Sequence, residues 1–442
     1  MTARGGTPRV SSPTCLPAVE RLYRQYERQP YPHTPIEVSC RDDGEGRWLH
    51  SLTVACYRRD GQIVDPQGRR ILDAGCGSGY RTLALAEANP GAQIVGVDIS
   101  ETSLAVARRR LAHHGFGDVA FHPLPIERVE ELGLTFDYIN CEETLYLLPD
   151  PKTALAALAR VLAPRGILRL NLHDAFARQP FLRAQAVLEM LGVLANDPAE
   201  PEMLAVKEMM EALKPEVYLR KNAWDPYKDY HFEREWYQMN WFLQGDRGFT
   251  IPETFALLDG AGLEMIALVD EAAWNLAALF PGEQPLPEVV ARFFATATPA
   301  EHLHFYDLVH GARRLIDFWC GHRGEARPRS PLFVGWQPED YRRARIHLPA
   351  ALATAPLRTH LQGAALSGED FDLLFGFTGP TLSGPAEAAG CLLALWEGSQ
   401  PLIAFLETWV RLREAIGRDA AVAEVTAFVR AAEAGGYLFV EL

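Results

Sequence analysis

The sequence has no C-x-x-C pair. Its seven cysteines, at 15, 40, 56, 76, 141, 320 and 391, are scattered and odd in number, which argues against a disulfide framework or a zinc ribbon and for reduced thiols in a cytoplasmic protein. Positive charge is also short: 43 Lys and Arg against 57 Asp and Glu leave a net charge of −14. A field of that sign opposes nonspecific duplex binding, so nucleic acid is not an expected partner. No uninterrupted apolar run reaches the roughly 20 residues of a membrane-spanning helix. The opening Met-Thr-Ala-Arg-Gly-Gly-Thr-Pro lacks the apolar centre of a secretion signal. A soluble chain without membrane insertion is the expectation.

Two nucleotide-binding loops are missing as well. In Ile71-Leu72-Asp73-Ala74-Gly75-Cys76-Gly77-Ser78-Gly79-Tyr80, Tyr80 stands where a dinucleotide fingerprint needs its third glycine, and no Gly-Lys-Ser/Thr follows as a P-loop requires. What is present is a buried strand ending in an acid, then glycine at every second position. Such a loop lets a ligand lie against the backbone, and the carboxylate at its head suits a ligand with a positive end better than one led by a phosphate.

With 442 residues, 48% of them hydrophobic, the chain can build two or three domains. Residues 1–17, rich in Gly, Pro, Ser and Thr, read as a flexible tail. Three prolines between Tyr26 and Pro35 force an extended stretch, read either as a polyproline-like strap pinned by its tyrosines or as a lid edge that offers Tyr31 and His33. From residue 70, strands and helices alternate. A second strand at 93–98 ends in Asp98, 25 residues after Asp73, so a right-handed crossover brings both acids to the sheet edge where ligands bind. Ser100 caps a helix over 101–113, whose Arg108, Arg109 and Arg110 read as a solvated face. Further strands are expected at 119–122, 136–141 and 167–172.

Beyond 175 the period becomes helical. Nine aromatics between Tyr218 and Phe242 predict a packed subdomain, a cap over a planar substrate, or both. Thr250 caps another helix, and 263–269 and 331–336 read as the sixth and seventh strands, with a helical insertion at 272–325 between them. The His and Cys residues of that insertion match no zinc spacing, so no metal is expected. The last hundred residues close on a helix-then-strand pattern similar to winged-helix domains. They carry 13 acids against 8 Lys and Arg from residue 339 on, which favours a protein contact, a homodimer interface or substrate gating over nucleic acid.

Over about a hundred contiguous residues the series Asp73 to Gly79, Asp98, Asp137-Tyr138-Ile139, Leu148-Pro149-Asp150-Pro151 and Leu162-Ala163-Pro164-Arg165-Gly166-Ile167-Leu168 resembles the class I methyltransferases that use S-adenosylmethionine. The resemblance implies an α/β fold: a Rossmann-like sheet of seven strands in the order 3-2-1-4-5-7-6. It gives a methyltransferase domain over 18–337, with its core at 45–175 and a helical and aromatic insertion at 176–248; residues 340–442, which repeat no motif of the first part, read as a C-terminal α+β accessory domain. It places Asp73 near the methionine end of the cofactor, lets the cofactor cross Gly75, Cys76, Gly77 and Gly79, and gives the ribose hydroxyls to Asp98. Ile99 and Leu124-Pro125-Ile126 would sandwich the adenine, and Cys141 and Glu142 complete the cofactor set.

A sulfonium is already activated, so positioning supplies much of the rate and a base is needed only for an acceptor that must lose a proton. Glu143, His173, Tyr146 and Tyr31 are the catalytic candidates. Many relatives carry a His-His pair where Tyr146-Leu147 stands here, so their base does not carry over. The favoured reading is methyl transfer to a small-molecule substrate under an aromatic cap. The alternatives are protein or peptide methylation with docking through the C-terminal domain, and a noncatalytic cofactor-binding subunit, against which the intact Asp73, glycines and Asp98 speak.

Overall fold

Apolar runs between glycine-rich turns can be buried on both faces only if helices cover them, and the chain meets that need with a parallel sheet. The computed structural model describes residues 18–28, 30–194, 200–243, 245–282, 285–311, 313–327, 331–373 and 382–442; the tail expected at 1–17 lies outside them. Strands β1 (Arg70–Ala74), β2 (Gln93–Asp98), β3 (Ala120–Pro123), β4 (Phe136–Cys141), β5 (Leu162–His173), β6 (Leu263–Leu268) and β7 (Leu315–His322) form one sheet in the order β3-β2-β1-β4-β5-β7-β6. The first five are parallel, and β7 runs antiparallel to both β5 and β6. This is the Rossmann-like order expected.

Helices α1 (Ala18–Arg28), α2 (Gly44–Leu49) and α3 (Leu52–Asp60) precede the sheet, and α4 (Tyr80–Ala88), α5 (Glu101–His113) and α6 (Pro151–Val161) cross between strands. The cap expected of Ser100 is made: its hydroxyl accepts the Ser103 N–H at 3.0 Å. After β5 come α7 (Gln179–Met190), α8 (Glu200–Ala212), α9 (Arg234–Asn240) and α10 (Ile251–Gly260), the last opened by a Thr250–Glu253 capping box. Helices α11 (Glu288–Thr296) and α12 (Pro299–His310) lie between β6 and β7.

Two expectations are corrected. The seventh strand is Leu315–His322, not 331–336, so the helical insertion ends near 310 rather than 325. Phe333 and Gly335 take φ of 69° and 76°, which folds the apolar run at 331–336 into a turn. The true strand is disguised by Asp317, an acid whose place in a central strand is intelligible only from its partner: Arg169 of β5 grips it at 2.7 and 3.2 Å. Second, Arg110 is not on a solvated face. It is 1% exposed and donates to the carbonyls of Thr34 (2.6 Å), Pro35 (2.8 Å) and Ser78 (3.1 Å), pinning the proline strap to the glycine loop.

The remaining chain carries α13 (Pro338–Arg343), β8 (Arg345–His347), α14 (Ala355–Ser367), β9 (Phe371–Leu373), β10 (Leu382–Gly384), α15 (Ala386–Ala394), β11 (Gln400–Pro401), α16 (Leu402–Leu412), α17 (Arg418–Ala434) and β12 (Phe439–Glu441). Its strands form a β9–β10 pair and a small sheet in the order β11-β8-β12. Its apolar core runs without a break into the one beneath α2 and α3. Tyr57 stacks on Phe439 at 3.9 Å and accepts the Val440 N–H at 2.7 Å, while the Trp48 indole donates to the Gly436 carbonyl.

Candidate active site

The carboxyl ends of β1, β2 and β4 surround a cavity of about 310 Å³. Gly75, Cys76 and Gly77 form part of its wall. Gly77 (φ 50°) has no room for a side chain, because a Cβ there would meet the Tyr31 carbonyl, and Ser78 donates its N–H to that same oxygen at 2.9 Å. At Gly79 (φ 81°) a Cβ would lie 2.7 Å from that of Ala107. At these two positions glycine admits the strap and α5 rather than a ligand.

Asp98 faces the cavity while its Oδ2 accepts the Gly77 N–H and its Oδ1 the Ser100 N–H, both at 2.9 Å. Burial pushes its carboxyl up and these backbone bonds pull it back; each oxygen keeps a lone pair for a ligand hydroxyl. Ile99, Leu124 and Ile126 line the same cavity, whereas Pro125 and the fully buried Cys141 do not. Asp73 is also absent from the wall. Its oxygens accept from Thr82 Oγ1 (2.6 Å) and Asn140 Nδ2 (3.0 Å), tying β1 to α4 and β4, and burial pushes its pKa up to about 6.

Glu142 and Glu143 follow β4 into the cavity. Glu142 Oε1 pairs with Arg81 at 3.1 Å, and its Oε2 meets His50 Nε2 at 3.1 Å and Arg169 Nη1 at 3.4 Å. Burial alone would raise its carboxyl, but Arg81 and Arg169 outweigh it and hold the group well below the usual range. Glu143 has a left-handed φ of 53°, a strained backbone held by its N–H to Asn171 Oδ1 at 2.7 Å. Burial opposes its ionisation too, yet Arg314 (2.6 and 3.3 Å) and the Tyr146 hydroxyl that donates to it keep it ionised.

Tyr31, Glu143 and Arg314 line both this cavity and a second, more open cleft of about 640 Å³. Tyr146 and His173 also line the cleft, beneath Phe181, Tyr227, Tyr230 and Trp236. Trp236 also packs with Trp224, Trp241 and Phe242 into a core with α7 and α8, so the aromatic run is at once a packed subdomain and the wall of a cleft. His173 Nδ1 lies 2.8 Å from Asp246 Oδ1, and Arg314 Nη1 lies 3.3 Å from its Nε2. Arginine can only donate, so Nε2 is an acceptor and Nδ1–H points to Asp246. Burial lowers the pKa of this ring, and Tyr146 stacks on it at 3.9 Å. All four catalytic candidates therefore meet at one cleft. Arg81, His50, Asp246 and Arg314 were not found from sequence. Arg81 had the one available signal, a position two residues past the glycine loop.

Comparison with known proteins gives the family. A family model described as a methyltransferase domain matches residues 66–230. An uncharacterized Synechococcus protein is 30% identical over 61% of this chain, which spans 64% of that protein's length. A ubiquinone biosynthesis O-methyltransferase of Dechloromonas aromatica is 32% identical over 39% of this chain and 77% of that enzyme. The chain belongs to the class I S-adenosylmethionine-dependent methyltransferases. The structure of Rickettsia typhi PKMT2 in complex with AdoHcy shares the methyltransferase's fold over 89% of this chain and 75% of its own, with a TM-score of 0.59 and 15% identity. The cofactor is S-adenosylmethionine, and the cavity's donor set fits it. Asp98, Glu127, Glu142 and Glu143 face Arg81 and Arg314 there, an excess of negative charge suited to a sulfonium. Among the described residues no helix of the methyltransferase is long and apolar enough to cross a membrane, and no group of three or more His, Cys, Asp or Glu could hold a metal ion.

Proposed function

We propose that the protein transfers the methyl group of S-adenosylmethionine to a small-molecule acceptor bound in the aromatic-walled cleft. The carrying observation is the junction: Tyr31, Glu143 and Arg314 belong to the cofactor cavity and the cleft alike. When bound, the cofactor supplies an activated methyl on a cationic sulfur. The protein's part is placement and charge. Asp98 and the Ile99, Leu124 and Ile126 wall hold the adenosine. Glu143, kept ionised, faces the positive centre from the junction. His173 has its Nδ1–H fixed by Asp246, so Nε2 is the cleft's proton acceptor for an acceptor group that displaces the Arg314 N–H.

The cleft's open rim, where Tyr218 and Tyr230 are about half exposed, supports a second reading in which a protein side chain enters it. Calorimetry with S-adenosylmethionine and S-adenosylhomocysteine tests the first step, with binding of both expected and failure of both at millimolar concentration overturning it. A screen for S-adenosylhomocysteine release with hydroxy- and amino-arenes, thiols and peptides then separates the acceptor classes. Turnover with peptides alone would replace the small-molecule reading with the second.

A further inference from the structure

We infer that Arg81 is the anchor for the α-carboxylate at the methionine end of the methyl donor, set in place by Glu142 and the buried frame behind it. The inference rests on the cofactor reading above. Arg81 sits in the first turn of α4, where the helix dipole disfavours a positive charge. That turn has no acidic residue, and its cap, Gly79, offers no side chain. The unfavourable placement is offset by Glu142 alone among the described residues' ion pairs, at 3.1 Å. The Arg81 side chain is nevertheless 41% exposed and lines the cavity, whereas Glu142 is 8% exposed. One edge of the guanidinium is held, and the fork keeps donors free for a planar carboxylate.

Glu142 cannot follow a ligand. Its other oxygen is committed to His50 and Arg169, and Arg169 is gripped in turn by Asp317. Residues preceding α3, following β4 and lying within β5 and β7 thus form one frame, buried but for the half-buried Asp317. Its formal charges balance, Arg81 and Arg169 against Glu142 and Asp317, and an amino-acid zwitterion leaves that balance intact. Arg314 is the rival cation. It already gives two N–H groups to Glu143 and one to His173, and it stands at the junction with the cleft. In the donor three carbons separate the carboxylate from the sulfur, a spacing matched by neighbouring residues: Glu142 beside the carboxylate anchor, Glu143 at the methyl end.

Calorimetry on the full chain with two ligands tests the assignment. S-adenosylhomocysteine carries the amino-acid end and 5′-methylthioadenosine lacks it. Arg81→Ala should weaken S-adenosylhomocysteine by about tenfold or more, as for loss of a charge-assisted pair, and leave methylthioadenosine within about twofold, which also reports an intact fold. Arg81→Lys should fall between the two. As a control, Asp98→Ala should weaken both ligands. Equal losses for both ligands in Arg81→Ala, no loss for either, or a selective loss in Arg314→Ala with Arg81→Ala silent would overturn the inference. A wild-type chain that binds neither S-adenosylmethionine nor S-adenosylhomocysteine would overturn the cofactor reading instead.

Discussion

Asp73 and Asp98 look equivalent in sequence, each an acid ending a buried strand, yet they have different work. Asp98 faces the cavity. Asp73 is 2% exposed and spends both oxygens on Thr82 and Asn140. Its folded pKa of about 6 stands above its ordinary 3.8, so the folded chain binds the extra proton between those values. Its contribution to stability is full below pH 3.8 and is lost as pH rises through about 6, a difference on the order of 2–3 kcal/mol. Asp73→Asn keeps both hydrogen bonds if the Thr82 hydroxyl turns to accept, so its unfolding free energy should vary less between pH 4 and 7 than that of the wild type. Denaturant titrations across that range check this, and parallel profiles would contradict it. The position of Asp98 was legible because one strand-helix-strand unit has a predictable length. Arg314 and Asp246 were not, because each reaches the cleft from the end of an insertion whose path is set by tertiary packing.

The strap from Tyr31 to Ile36 would be a mobile lid if it were held only by its tyrosines. It is instead bonded along its length, through the Tyr31 carbonyl to Ser78, the Thr34 and Pro35 carbonyls to Arg110, and the Ile36 carbonyl to His114. Arg110→Ala would leave the Thr34 and Ser78 carbonyls short of a donor, while the Pro35 carbonyl keeps the Val38 N–H, for a cost of about 2–4 kcal/mol. Thermal unfolding should show a lower midpoint, and limited proteolysis should find new cleavage between 30 and 36; an unchanged digest would show that the glycine loop alone suffices. Sequence could not separate Arg110 from its two neighbours, since consecutive helical residues differ only in direction and that direction gains meaning only from the strap. The same limit hid β7, whose half-buried acid speaks against a central strand until Arg169 is seen beside it.

At the scale of the whole molecule, the sheet order followed from the motif series, while the relation of the last hundred residues to it did not. An accessory domain was the natural reading, because nothing in those residues repeats the first part. The apolar core nevertheless passes continuously from α2 and α3 to β12 and α17. A chain ending at residue 337 should therefore expose the surface around Trp48, Val54 and Tyr57 and lose S-adenosylhomocysteine binding through misfolding, as read by circular dichroism and calorimetry together. A soluble truncation that binds like the full chain would restore the independent module.

The hydrogen bond from Val440 to Tyr57 joins residues 383 positions apart. Such a contact forms late, because the loop it closes spans most of the chain. During synthesis, α2 and α3 must wait for β12 to emerge before their outer face is covered. Until then the nascent chain presents two indole- and phenol-bearing helices to whatever chaperone is nearest, and the core that these helices share with the C-terminal segment is closed last.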